Sequence, residues 1–377
     1  VHAATPGQAR LYEDGRFPTP SGRARFADVA FQAPIDTIDA RYPIRLTTGR
    51  LRDQWHGMSR TGTIARAFGH APTPSVQLHP ADATRLGFAP GDLVHVTSRH
   101  GSLVLPVEPS PSIAPMQAFI AMHWGAEFVH GTGQPGVSAG GVNTLTTSAF
   151  DPTSRQPELK HAAIRLLPAR LPWRWVAFGW FDAADVLRAW QALRQYFLDF
   201  AYATCTPFGH DETRIGLSFR GACAEPVSHD VIAALERVFR LDAPDVLRYD
   251  DTRRGTRRRV RLRGESIDAV ALGGDASAAD WLRDYLESGA SVRPLGRALL
   301  MPARTPPIAH ISQGRCVCNC LGVSESQINA LLERHEGDEQ SAFEALQTTL
   351  KCGSSCGSCK PELRRLAQAA ARRVPAA

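Results

Sequence analysis

Six of the eight cysteines in this 377-residue chain crowd into two windows near its C-terminal end, Cys316, Cys318 and Cys320 in the first and Cys352, Cys356 and Cys359 in the second. Cys205 and Cys223 lie apart from them. Within the windows, Cys318-x-Cys320 and Cys356-x-x-Cys359 each offer two sulfurs from one loop, with thirty-five residues between the pairs. Paired short spacings bring thiolates to one point, as a metal or iron–sulfur centre requires, whereas a chain long enough to bury its own cores has no need of disulfide staples. The pattern therefore predicts converging thiolates in a reducing, cytoplasmic setting. An iron–sulfur cluster needs four of them held with little flexibility, on short loops at helix ends where backbone N–H groups reach the sulfurs. Gly322, Gly353 and Gly357 suit that close approach. A four-cysteine zinc site is the alternative; its usual spacing is C-x-x-C twice, from which the C-x-C first pair departs.

The length implies two to four domains, each with its own core. No apolar run is long enough to span a bilayer, and Val1-His2-Ala3-Ala4-Thr5-Pro6 has neither a charged leader nor an apolar signal core. Without an initiator Met, the chain reads as a fragment. The net charge of +6 is modest for this length, and its local excess sits in Arg253, Arg254, Arg257, Arg258, Arg259, Arg261 and Arg263. No aromatic-rich recognition motif or helix-turn-helix pattern accompanies them, so the patch reads as a solvated strand face or a docking face for an acidic redox partner, not as a nucleic-acid site.

Residues 1–41 are punctuated by Pro and Gly, and Gly15 to Phe26 reads as an extended connector. From Tyr42 the pattern turns strand-like, with short runs at Ile44–Thr48, Val76–Leu78, Leu93–Thr97 and Leu103–Val107. Between them Pro80–Leu86 reads as a helix opened by Pro and stopped by Gly87. Many short strands with few helices predict a mainly β barrel over residues 42–168. The Pro168–Trp175 stretch reads as a boundary. Residues 169–307 form a mixed α/β region, with helices at Ala183–Leu198, Ser228–Arg240 and Ala276–Ser288 and an arginine-rich hairpin at Val246–Gly273. The prolines of Met301–Pro307 mark a last linker. Residues 308–377, from about Ser312 onward, read as a small all-helical unit. Its first helix opens on the capping box Ser324-Glu325-Ser326-Gln327 and runs to about His335. A second covers about Gln340–Leu350, and a third follows Pro361. The fold class is multi-domain α+β.

The run Thr47-Thr48-Gly49-Arg50-Leu51-Arg52-Asp53-Gln54-Trp55-His56 follows a predicted strand directly. Gly49 lets the backbone approach a pyrophosphate, Arg50 can pair with it, and Trp55 and His56 can stack on or hydrogen-bond a heterocycle. Taken alone, T-G-R after a strand is a weak signal, common in ordinary turns.

Two resemblances add to these readings. Cys318-Asn319-Cys320-Leu321-Gly322-Val323-Ser324 and Gly353-Ser354-Ser355-Cys356-Gly357-Ser358-Cys359 resemble the bacterioferritin-associated-ferredoxin-like [2Fe-2S] domain over about sixty residues. The resemblance implies Cys318, Cys320, Cys356 and Cys359 as cluster ligands and leaves Cys316 and Cys352 outside the pattern. Residues from about Tyr42 to Leu167 resemble the molybdopterin-dinucleotide-binding domain of nitrate reductases and related enzymes. The marks are the T-G-R…W-H run, Leu78-His79-Pro80-Ala81-Asp82, Pro90-Gly91-Asp92, Asn143-Thr144-Leu145-Thr146, Asp151-Pro152 and Lys160. That resemblance implies a double-psi β-barrel, with Thr48, Gly49, Arg50, Trp55, His56, Asn143 and Lys160 at the dinucleotide. On residue type alone, Asn143 is a turn asparagine and Lys160 a surface lysine. His123-Trp124-Gly125 is a further pterin-side contact or, equally, an aromatic pair packed in the barrel.

The combination resembles the C-terminal part of the catalytic subunit of bacterial assimilatory nitrate reductases, and Tyr249–Asp275 loosely resembles a hairpin module of nitrite reductase large subunits. The resemblance implies a molybdenum-dependent, cytoplasmic reduction of nitrate to nitrite. The cofactors implied are molybdopterin guanine dinucleotide (Mo-bis-MGD), a [2Fe-2S] cluster and a [4Fe-4S] cluster in a missing N-terminal part. Electrons would come from ferredoxin, flavodoxin or an NADH-dependent flavoprotein subunit. No residue of the fragment is expected to be catalytic, and alone it should be inactive. The alternatives are another molybdopterin oxidoreductase such as a formate dehydrogenase, or a non-enzymatic electron-transfer adaptor.

Overall fold

The computed structural model describes residues 11–28, 30–138, 140–308 and 314–372. The Val1–Pro6 start and the Ser312 onset of the terminal unit lie outside them. The described residues up to Ile35 group as one unit and those from Asp36 onward as another. Within the first, the expected extended connector is corrected to a tight reversal, with the Phe17 amide donating to Gly22 O at 3.0 Å and the Gly22 amide to Thr19 O at 2.9 Å. Pro18, Pro20 and Gly22 favour turns over extension.

In β1 (Ile44–Gly49), Ile44, Leu46 and Thr48 are buried while the alternate residues are not. The same half-buried alternation produces β2 (Val76–Leu78) and, after helix α1 (Pro80–Leu86), β3 (Leu93–Thr97). Helix α1 begins as its sequence indicates: the His79 ring accepts from the Ala81 amide and Gly87 ends the helix with φ 73°. Strands β4 (Ser102–Pro109), β5 (Gln117–Ala121), β6 (Val129–Gly131) and β7 (His161–Pro168) follow. Six of these close a barrel in the order β1-β5-β2-β4-β3-β7. Strand β1 runs parallel to β5 and antiparallel to β7, which seals the ring.

The seventh strand, β6, leaves the barrel and becomes the edge of a second sheet. That sheet is built from β8 (Trp173–Asp182), β9 (Tyr202–Phe208), β10 (Arg214–Cys223), β11 (Leu247–Asp251), β12 (Thr256–Arg263) and β13 (Ser266–Gly274), in the order β11-β12-β13-β8-β10-β9-β6. Helices α2 (Val186–Arg194), α3 (His229–Val238) and α4 (Ala279–Ser288) flank it. One apolar core runs without a break from Leu46, Val104 and Ile120 of the barrel to Trp175, Leu217 and Leu235 of the sheet region. The other face of the sheet buries Phe178, Val270 and Leu272 against Trp281 and Leu282 of α4. The Pro168–Trp175 stretch joins β7 to β8 with Leu171, Trp173 and Trp175 buried in the shared core.

The arginine-rich hairpin is a correction. Arg258 and Arg259 are buried, Arg257 pairs with Glu236 at 2.6 Å, Arg259 with Asp250 at 2.9 Å, and Arg261 with Asp268. Of the seven, only Arg253, Arg254 and Arg263 are exposed, at opposite ends of β12. Because both faces of the sheet are covered, arginines of either parity meet protein, and carboxylates meet them there. No continuous cationic face remains among the described residues of the hairpin for a docking partner.

The terminal segment carries β14 (Cys316–Cys318), β15 (Val323–Ser324) and helices α5 (Glu325–Leu332), α6 (Glu339–Thr349) and α7 (Lys360–Ala371) around a small core of Val317, Ile328, Leu346 and Leu363. Ser324 and Gln327 form the expected capping box. The two-stranded ribbon β14–β15 is an addition to the all-helical expectation. Among the described residues, no helix is long and apolar enough to cross a membrane.

Phe128 stands where barrel and sheet meet, 5.8 Å from the Phe68 ring and 5.3 Å from Trp190 of α2. Phe128→Ala should cost about 3–5 kcal/mol. In a urea titration, fluorescence and circular dichroism should shift to a lower midpoint together; only one of two resolved transitions moving would contradict a shared core.

Candidate functional site

The run after β1 leaves the barrel between its two partner strands and folds back over His123, which follows β5. The Leu51 amide donates to His123 Nε2 at 3.0 Å, and Nδ1 of the same ring meets the His56 carbonyl. Gln54, buried beneath, donates from Nε2 to Ala67 O at 3.1 Å, and Thr61 Oγ1 donates to Gln54 Oε1 at 2.6 Å. The outer residues stay open: Arg50, Trp55 and His56 are exposed, and Trp55 meets His56 edge-on with ring centroids 4.7 Å apart.

The other residues singled out in the sequence reach the same end of the barrel. Thr47 of β1 pairs with His161 of β7, so Lys160, just before β7, lies beside the end of β1 with its side chain exposed. Thr48 is buried and donates its hydroxyl to Leu159 O at 2.7 Å, tying the two segments together. Asn143 sits exposed in the 3-10 turn Gly141–Leu145, which is fastened to the His123–Gly125 segment by the Val142 amide donating to Trp124 O at 3.0 Å. Trp124 is the packed aromatic, 6.0 Å from Phe128. A side chain at position 49 would place its Cβ 2.9 Å from the Phe119 ring. The half-buried Phe119 ring thus packs over Gly49 on the outer side of the barrel, where a larger residue would have to displace it.

The cysteine windows also converge. Cys318 Sγ is 3.7 Å from Cys320 Sγ, and Cys320 Sγ is 3.6 Å from Cys356 Sγ. Two thiolates on one tetrahedral metal with bonds of about 2.3 Å lie about 3.8 Å apart, close to either separation taken singly; among the described residues, no three His, Cys, Asp or Glu side chains are arranged to hold one ion. Burial and the Cys318 sulfur push the Cys359 thiol up to about 12, a proton that metal binding would displace. Cys316 and Cys352 are also raised to about 12, first by burial and then by neighbouring sulfurs; Cys352 is buried in the small core. Gly322, Gly353 and Gly357 take φ of 65°, 73° and 75°, which turn the loops around the sulfurs. All eight cysteines are free.

Two residues missed in the sequence join these halves. Asp53 accepts from Asn319 Nδ2 at 2.9 Å through one carboxylate oxygen and from Ser358 Oγ at 2.8 Å through the other. Asn319 lies between Cys318 and Cys320, Ser358 between Cys356 and Cys359. Arg52 donates to Glu362 at 2.5 Å, to the Val317 carbonyl and to Asp53 at 2.9 Å. Burial works against the Glu362 carboxylate, yet Arg315 and Arg52 hold it below its ordinary value. Both Arg52 and Asp53 stand inside the run already singled out, but nothing local marks a partner so distant in the chain. Beside this contact a cavity of about 420 Å³ is lined by Leu51, Phe119, Trp124, Arg315 and Arg365 among others.

Burial lowers His123 from its ordinary value of 6.5, with the His56 carbonyl opposing and Arg50 assisting. A folded-state value below the unfolded one means that the ring's contribution is complete above the ordinary value and is lost as pH falls through and below it. Protonation also removes the Nε2 acceptor used by the Leu51 amide. Exchange of that amide should therefore accelerate, beyond the intrinsic pH effect, on lowering the pH from about 7.5 to about 5.5. His123→Gln should flatten the response, as followed by amide hydrogen exchange.

The comparisons agree with this geometry. Residues 44–163 match the molydopterin dinucleotide binding domain, and residues 316–369 match the BFD-like [2Fe-2S] binding domain. A nitrate reductase of Klebsiella oxytoca is 29% identical over 361 residues, 92% of this chain and 36% of that protein. One from Synechocystis sp. is 40% identical over 159 residues, 42% of this chain and 21% of the relative. The F420-dependent formate dehydrogenase 2 subunit alpha of Methanococcus maripaludis is 27% identical over 161 residues, 43% of this chain and 22% of that subunit. The chain thus spans about a third of the length of the relative it matches most extensively among these three. It carries a molybdopterin-dinucleotide-binding domain built on the β1 barrel and, at its cysteine-rich end, a BFD-like [2Fe-2S]-binding domain.

Proposed function

We propose that this chain is the C-terminal portion of a molybdenum-dependent nitrate reductase that reduces nitrate to nitrite. The observation that carries the reading is the reach of the Klebsiella nitrate reductase likeness: at 92% of the chain it must extend into both domains. The formate dehydrogenase likeness, at 43% of the chain, is too short to span both. An adaptor without enzymatic activity has no use for a pterin-binding barrel.

In this reading the barrel is of the double-psi type and holds molybdopterin guanine dinucleotide at the end where β1, β7 and the Gly141–Leu145 turn meet. Arg50 and Lys160, both exposed, present cations to the phosphates. Asn143 offers its amide, Trp55 and His56 cover a heterocycle, and Gly49 contributes backbone. Thr48, whose hydroxyl is spent on Leu159, acts through its main chain. Cys318, Cys320, Cys356 and Cys359 hold the [2Fe-2S] cluster, and Cys316 and Cys352 remain thiols. When bound, the groups supply one-electron transfer at the cluster and, at molybdenum, removal of an oxygen atom from nitrate with two electrons and two protons, giving nitrite and water. This chain's own part is to hold, orient and shield. A [4Fe-4S] cluster belongs to the remainder of the protein, and the donor is ferredoxin, flavodoxin or an NADH-dependent flavoprotein subunit. The setting is nitrate assimilation in the cytoplasm.

The full-length gene product, purified anaerobically, should turn over nitrate with a reduced dye. Cys356→Ser should abolish the [2Fe-2S] spectrum while the dinucleotide is retained. Arg50→Ala, removing one charge-assisted contact, should weaken dinucleotide retention about tenfold to a hundredfold. One zinc and no iron at the terminal site, or formate oxidation without nitrate turnover, would sink the reading.

A further inference from the structure

The Leu51–Gln54 segment faces two ways. Its N-terminal neighbours Gly49 and Arg50 belong to the open end of the barrel, while Arg52 and Asp53 turn toward the cysteine loops. We propose that Arg52 and Asp53 are positioning residues that couple occupancy of the dinucleotide site to the environment of the terminal cluster. The inference rests on the reading of the two sites given above.

Three observations carry it. First, Asp53 holds both cysteine pairs at once, one carboxylate oxygen on the residue inside each pair, so it shares in setting the relative placement of the two loops with the Cys320–Cys356 contact and the Arg315–Glu362 ion pair. Second, the segment has little slack: the Leu51 amide is fixed to His123, the Gln54 amide donates to Leu51 O at 3.3 Å, and the buried Gln54 side chain is fixed to Ala67. A displacement at Arg50 is therefore transmitted to Arg52 and Asp53, not absorbed between them. Third, the contact is sheltered, with the Arg52, Asp53 and Glu362 side chains 18%, 10% and 10% exposed. Charges held this far from water act on a neighbouring redox centre with much less screening than surface charges.

The net effect on the cluster has a sign. Asp53 places a negative charge against both thiolate loops, which disfavours adding an electron there; removing that charge favours it. Hydrogen bonds from Asn319 and Ser358 set how closely the carboxylate sits. Coupling between two sites is reciprocal, so any shift in cluster potential on binding the dinucleotide implies an equal change in dinucleotide affinity on reducing the cluster.

The experiment uses the full-length enzyme in two forms, one from a host that makes the pterin and one from a host unable to make it. The [2Fe-2S] centre is read by its electron paramagnetic resonance spectrum and its midpoint potential, independently of turnover. In the wild type, spectrum and potential should differ between the two forms. Asp53→Asn should raise the potential of the loaded form and shrink the loaded-to-free difference. If Asp53→Asn loses its cluster on purification, Ser358→Ala carries the test, since it leaves the carboxylate with its Arg52 and Asn319 contacts; it too should shrink the difference. A wild-type cluster indifferent to the dinucleotide, or a variant that keeps its cluster and the full wild-type difference, overturns the coupling while leaving the assignment of the two sites intact. A protein with no [2Fe-2S] signal in either form overturns that assignment, and the coupling with it.

Discussion

Strand β1 is hydrogen-bonded along both edges, in parallel to β5 and antiparallel to β7. That double pairing closes the barrel and decides where the chain can go when the strand ends. The following residues cannot continue as a strand, because β7 begins opposite Thr47 and the His123 ring, just past β5, takes the Leu51 amide. They turn outward, and the turn presents Arg50 to one side and Arg52 with Asp53 to the other. On the proposed assignment, residues of two sites that lie hundreds of positions apart are thereby joined through a few peptide units.

The cysteine-rich end shows a second constraint, the joining of a small module to a large one. Its core is a handful of apolar residues, Val317, Ile328, Leu346 and Leu363 among them, and so little buried surface gives modest stability by itself. The polar tie through Asp53, Arg52 and Glu362 adds what hydrophobic burial does not: orientation. A carboxylate accepting two directed hydrogen bonds fixes angle as well as distance. The same economy governs β12, where guanidiniums shielded from water are matched by Glu236, Asp250 and Asp268.

Legibility in the sequence followed how each segment meets solvent. Strands β1 to β3 and helix α1 were readable because one side is buried and the other wet, so their apolar residues alternate or step with the right period. Strands β8, β9 and β10 went unread. Trp175 and Ala177 of β8 enter one core and Val176 and Phe178 the other, and a strand buried on both faces shows no period. The arginines of β12 misled for the same reason, their alternation being taken as a wet face. The C-x-C and C-x-x-C pairs were legible because their chemistry is local. The hydrogen bond from Asn319 to Asp53 spans 266 positions, and no spacing rule reaches that far.

The barrel's seventh strand bears on how such a protein can be taken apart. Residues 129–131 lie within the stretch matched by the barrel's family model, yet they pair with β9 and form the rim of the neighbouring sheet. A cut after β7 would strip β6 of its partner and bare the aromatic wall formed by Phe128 and Trp124. An isolated strand edge beside an apolar surface invites pairing with other molecules. The natural unit of this part of the molecule is therefore barrel and sheet taken together, and new combinations of its pieces are constrained to exchange both at once.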